Sequence, residues 1–215
     1  MEIDKDKVMK EQRELMITNH LIARGISDKR VLEIMGRLER EKFIPSKYLV
    51  DSYSDHPVPI GHHQTISQPY IVALMSELCE FKGNEKVLEI GCGSGYQSAI
   101  LSGLAAKVFS IERVKALAEG AEKILNELGC TNVKVIHNDG FKGLAEEAPF
   151  DVIILTAAPE EIPQALIDQL SEGGRLVAPV GINVQELVRL RKKSGMIKRE
   201  MITYVSFVPM VEGFN

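Results

Sequence analysis

The stretch Val87-Leu88-Glu89-Ile90-Gly91-Cys92-Gly93-Ser94-Gly95-Tyr96-Gln97-Ser98-Ala99 decides how the rest of the chain is read. Val87–Ile90 has the apolar character of a buried strand, and helical spacing begins near Ala99. A strand that runs through a glycine turn into a helix lets backbone approach a ligand closely, because glycine has no Cβ. The dinucleotide fingerprint G-x-G-x-x-G needs its third glycine where this chain has Tyr96. The spacing here is E-x-G-x-G-x-G, headed by Glu89, and an acidic residue there suits a ligand ammonium better than a pyrophosphate.

Downstream of this stretch the pattern alternates. Strands are predicted at 107–111, 133–136, 151–156 and 174–180, with helices at 99–104, 114–128 and 163–170 between them. Such alternation implies a mostly parallel sheet covered on both faces. The segments 185–193 and 201–210 flank Ser194-Gly195 and read as a terminal antiparallel pair. Upstream, residues 5–53 read as helical, with Val8, Gln12, Leu15 and Ile22 on a stripe and Gly25 as its stop. Ser27 is the expected N-cap of a second helix carrying Val31, Leu32, Ile34, Met35 and Leu38, and Pro45 opens a short third. Residues 54–66, with two prolines, a glycine and three histidines, read as an extended loop, and Ser67-Gln68-Pro69 starts a helix ending near Gly83.

The chain's 215 residues suit one α/β domain, 45% of them apolar and 26% charged. A net charge of -4 without a Lys/Arg tract disfavours nucleic acid as a partner. The charged opening lacks the apolar run of a signal peptide, and no run is long enough for a membrane span. Cys79, Cys92 and Cys130 form no C-x-x-C pair, which disfavours disulfide and zinc scaffolds and leads us to expect a cytoplasmic protein.

Two carboxylates follow the glycine turn. Glu112 ends the second strand, where it can accept hydrogen bonds from ribose hydroxyls; its competing reading is a surface pair with Arg113 or Lys115. Asp139-Gly140 follows the third strand, where an Asp-Gly turn or a helix cap is an equal reading. Neighbouring His62 and His63 tend to point apart, and with His56 they have no Cys or Glu at ligand spacing, so no metal is expected. A hydrolase elbow needs G-x-S-x-G, whereas Ser94 lies in G-C-G-S-G.

The run 61–79, GHHQTISQPYIVALMSELC, resembles the segment that protein-L-isoaspartate (D-aspartate) O-methyltransferases carry before their cofactor motif. Residues 54–61, 111–114, 150–158, 173–181 and 207–210 keep step with that family of class I S-adenosylmethionine-dependent methyltransferases. The resemblance implies a Rossmann-like, doubly wound, mostly parallel sheet with helices on both faces, a helical N-terminal extension and antiparallel C-terminal strands. It implies one domain over 1–215, with 1–83 as cap and substrate loop and 84–215 as the cofactor-binding core.

It further implies that Glu89, Gly91, Gly93, Gly95, Glu112, Asp139 and Gly140 hold S-adenosylmethionine, whose product is S-adenosylhomocysteine. Gln64, Thr65, Ile66 and Ser67 would face the substrate, Ser67 contacting the carboxylate that takes the methyl group. Ser67 also reads as a helix N-cap. The implied substrate is the free α-carboxylate of an L-isoaspartyl residue in a damaged protein or peptide, and the implied state is a monomer. A carboxylate is already ionised at neutral pH, so the transfer needs no general base, in keeping with a loop of Gln, Thr, Ile and Ser.

Overall fold

A computed structural model describes residues 5–213. Helix α1 (Lys5–Leu15) passes into a wide π-turn, Met16–Leu21, and stops where Gly25 takes a left-handed φ of 95°. That wide turn changes the buried face. Leu15 and Ile22, expected on the inner stripe, are 56% and 50% exposed, while Met16 and Leu21 are fully buried. A π-turn spends an extra residue and slips the helical phase, so a stripe drawn at 3.6 residues per turn runs off the core by Ile22. Helix α1, which ends at Leu15, has no fully buried residue of its own.

Helix α2 (Lys29–Arg37) is capped by Asp28, whose side chain accepts from the Arg30 and Val31 amides. Ser27, the expected cap, instead gives its amide and hydroxyl to the Glu77 carboxylate, which tethers α2 to α3 (Pro69–Leu78). The turn after Pro45 is 3-10 over Ser46–Asp51. The expected loop 54–66 contains a hairpin of β1 (Val58–Gly61) and β2 (Gln64–Ile66), turned at His62-His63.

From there strands and helices alternate, except that 3-10 turns alone join β5 to β6: β3 (Lys86–Ile90), α4 (Tyr96–Leu104), β4 (Lys107–Glu112), α5 (Lys115–Glu127), β5 (Val133–His137), β6 (Phe150–Leu155), α6 (Gln164–Asp168) and β7 (Leu170–Val180). β8 (Gln185–Lys193) and β9 (Met196–Val205) complete a seven-stranded sheet of order β5-β4-β3-β6-β7-β8-β9. The pairs from β5 to β7 are parallel and the last two antiparallel. Strand alternation divides the core between the two faces of the sheet. Val87, Val108, Val152 and Val177 pack with the N-terminal helices and α4, whereas Leu88, Phe109, Ile153 and Leu176 pack with Leu166 of α6. Winding runs outward from β3 through β4 to β5, then restarts at β6 on the other side. Beyond the carboxyl ends of β3 and β6 the chain therefore leaves the crevice where open α/β sheets bind ligands.

Candidate active site

The glycine turn leaves β3 into that crevice. Gly91 has a φ of 97°, and a Cβ there would come within 2.4 Å of Thr156 Oγ1, at the end of β6. Only glycine permits this approach, so turn and strand end close one wall of a pocket. Gly93 donates its amide to Glu112 Oε2 at 2.8 Å, and Val114 donates to Oε1 at 2.9 Å. Glu112 is 5% exposed and lines the pocket. The surface pairing considered for it is not what forms, since Lys115 pairs with Glu119 and Arg113 donates to the Gly213 carbonyl. Each Glu112 oxygen keeps a lone pair for a hydroxyl.

Glu89 faces inward behind this wall. It is fully buried, accepts from the Ser98 and Ser110 hydroxyls on Oε2, and leaves Oε1 without a partner. Burial pushes its carboxyl up to about 7 against the pull of those two hydroxyls. Neither adjoining pocket is lined by it. Gly95 precedes α4, packs against Ala121 of α5 and is not in the wall of either pocket.

A second pocket adjoins the first through Gln64, Gly91, Glu112 and Ala157. Ile90, Ile111, Arg113, Gly140 and residues 209–211 form the rest of its wall. The C-terminal segment reaches this position because Ala158 and Met210 exchange backbone hydrogen bonds with Val208 and Ala158, and Gln185 brackets Phe207. Asp139 fulfils its turn reading, with Oδ1 accepting from the Phe141 amide, while Oδ2 accepts from Gly213 at 3.0 Å.

On the opposite side stand Gln64, Thr65, Ile66 and Ser67, all lining the first pocket. Ser67 is not the N-cap of α3. Pro69 occupies the first helical position and Gln68 the cap, without a side-chain bond. The Tyr70 amide, the first N–H of the helix, donates to Asp55 Oδ1 at 3.4 Å instead, and the serine hydroxyl makes no capping bond. Ser67 and Thr65 also line an outer groove with Tyr70 and Thr203–Val208, and the groove meets the pocket at Thr65, Ser67, Thr156 and Val208.

Sequence reading passed over Tyr96, Thr156 and Val208 as wall residues. Thr156 was detectable as a polar residue ending an apolar strand, but its place beside Gly91 depends on strand order. His62 and His63 form the exposed turn, and among the described residues no cluster of His, Cys, Asp and Glu could hold a metal ion.

A glycine turn and a strand-end carboxylate on adjacent parallel strands define a Rossmann-like enzyme built for a nucleoside-bearing ligand. The sequence model of the family described as Protein-L-isoaspartate(D-aspartate) O-methyltransferase matches residues 10–215. A Methanoculleus marisnigri protein-L-isoaspartate O-methyltransferase is 49% identical over 95% of this chain and 93% of its own length. A solved protein-L-isoaspartate O-methyltransferase superposes with TM-score 0.83 at 29% identity over 92% of this chain, which spans 65% of that longer protein. The structure of a Plasmodium falciparum relative in complex with S-adenosyl-L-homocysteine superposes with TM-score 0.81 at 29% identity, covering 93% of this chain and 98% of the other. The chain belongs to the protein-L-isoaspartate(D-aspartate) O-methyltransferase family.

Proposed function

We propose that this enzyme methylates the free α-carboxylate of L-isoaspartyl residues in damaged proteins and peptides, using S-adenosylmethionine. The observation that carries the reading is the meeting of a small pocket and a larger groove at Ser67 and Thr65. A small donor held inside and an extended chain held outside would present their reacting atoms to each other there.

The pocket residues fit the donor. Gly91 opens room that a side chain would fill, and Glu112 offers acceptor positions at the end of the next strand. Gly93 would line the methionine end, and Gly140 the adenine side, with Asp139 setting the turn. Glu89, buried behind the turn, fixes its shape through Ser98 and Ser110 rather than by touching the ligand. When bound, the cofactor supplies an electrophilic methyl group, which the acceptor oxygen takes as the carbon–sulfur bond breaks onto sulfur, with no proton moved. Ser67, Thr65 and Gln64 would orient the carboxylate, and Ile66 would exclude water. Orientation and desolvation supply the acceleration, because the acceptor is already anionic. We take the working form to be a cytoplasmic monomer that needs neither nucleic acid nor membrane; light scattering of the purified protein tests the monomer.

The deciding experiment is radiolabelled methyl transfer to matched peptides containing L-isoaspartate or L-aspartate. Base-labile label confined to the isoaspartyl peptide is expected. Cofactor binding without transfer to either peptide would refute the acceptor.

A further inference from the structure

The proposed acceptor is an anion, yet the pocket beside Ser67 has no Lys, Arg or His in its wall, and its one carboxylate, Glu112, has the wrong sign. The cations of the neighbouring walls, Arg24 in the outer groove and Arg113 in the second pocket, are engaged by Asp55 and by the Gly213 carbonyl. A further cation lies one layer behind Ser67. Arg40 is fully buried, donates from Nε to the Ser52 carbonyl and from Nη2 to the Ser67 carbonyl, both at 2.8 Å, and leaves Nη1 without a partner. Its guanidinium carbon lies 4.7 Å from the ring centroid of Tyr96, which lines the same pocket.

Among the described residues Arg40 forms no ion pair. Of the groups around it, the Tyr53 hydroxyl binds Glu41 and receives Arg13, Asp55 is paired with Arg24 at 2.6 Å, and Tyr96 offers a neutral ring and hydroxyl but no counter-charge. Burial lowers the Arg40 pKa against the opposing influence of Tyr96, but an arginine stays charged. A buried cation without a counter-ion is costly, and an anion across Ser67 would offset that cost.

We propose that Arg40 is a positioning residue that makes this pocket select a carboxylate, fixing the Ser67 backbone and supplying positive potential from behind Ser67 and Tyr96. This rests on the methyl-transfer reading above. Wild type, Arg40→Met and Arg40→Lys should be compared for S-adenosylhomocysteine affinity, for KM and kcat on the isoaspartyl peptide, and for the pH profile of kcat. In Arg40→Met the peptide KM should rise about tenfold. The acid limb of kcat should move up by about half a unit to one unit, because the bound carboxylate loses a cation that favours its ionised form. Cofactor-product affinity should stay within about twofold. Arg40→Lys, which keeps the charge without the fork, should leave the acid limb in place while raising KM.

An unmoved acid limb in Arg40→Met, or KM and cofactor affinity weakened in parallel, would overturn the role. If Arg40→Met does not fold, Arg40→Lys decides alone: a shifted limb or an unchanged KM overturns the proposal. Failure of the wild type to methylate the peptide would refute the functional reading and this one together, whereas indifferent variants beside an active wild type refute only Arg40.

Discussion

Glu89 and Glu112 sit on neighbouring strands, and their surroundings give them opposite duties. Glu112 accepts two backbone amides at the pocket wall, so Glu112→Ala should weaken S-adenosylhomocysteine binding by tenfold or more, about 1.4 kcal/mol, in calorimetry. Unaltered affinity would remove it from the cofactor site. Glu89 is buried with one orphaned oxygen, and its pKa rises from 4.5 to about 7. Between those values the folded protein holds a proton that the unfolded chain has released, so stability falls as pH rises through the window. Glu89→Gln keeps the shape without the charge. Relative to wild type, the variant should gain on the order of 3 kcal/mol between pH 5 and pH 8 in urea melts. A wild-type-to-variant difference that does not change with pH would contradict the raised pKa. Ser67→Ala should lower kcat/KM on the isoaspartyl peptide about tenfold or more while sparing cofactor affinity, since the hydroxyl is not spent on capping α3. Equal turnover would end its proposed contact.

Among the elements, the β1–β2 hairpin carries the most strain. A two-residue hairpin turn with both φ angles positive favours Asn-Gly, yet this one uses His62 and His63 at 51° and 58°. Left-handed backbone costs a residue with a Cβ about 1–2 kcal/mol, so Asn-Gly at 62–63 should stabilise the protein by about 1 kcal/mol in urea melts. No gain would show the turn to be unstrained. The sequence could not show the hairpin, because prolines and histidines obscure a strand only three or four residues long. The π-turn after α1 escaped for a related reason. No residue in Met16–Leu21 marks it, and it shows only in which side chains the core takes.

Across the whole molecule, the N-terminal helices do not form a separate layer of weak contacts. Met16, Val31, Met35 and Phe43 share one apolar cluster with Val87, Tyr96 and Val152 of the sheet region. The Phe43 and Tyr96 rings meet edge to face at 5.3 Å. We propose that residues 1–83 and 84–215 unfold as one unit. Urea transitions followed by far-ultraviolet dichroism and by tyrosine fluorescence should coincide, and an early separate loss of helix would show that the cap folds apart.

The alternation of strands and helices, the glycine turn after β3, the carboxylate that ends β4 and the antiparallel end are all legible in local sequence. Each of these is written in local spacing, because a strand, a tight turn and a helix constrain only residues within a few positions of one another. The family could be read the same way, from short motifs in a fixed order. Long-range packing, not local spacing, makes Thr156 close against Gly91, makes the C-terminal segment wall the second pocket, and turns Glu89 inward while Glu112 faces the pocket. It also set Arg40 behind Ser67, which lies 27 residues along the chain. Those placements depend on strand order and on which charges the core encloses, and both arise from contacts between segments that are distant in sequence.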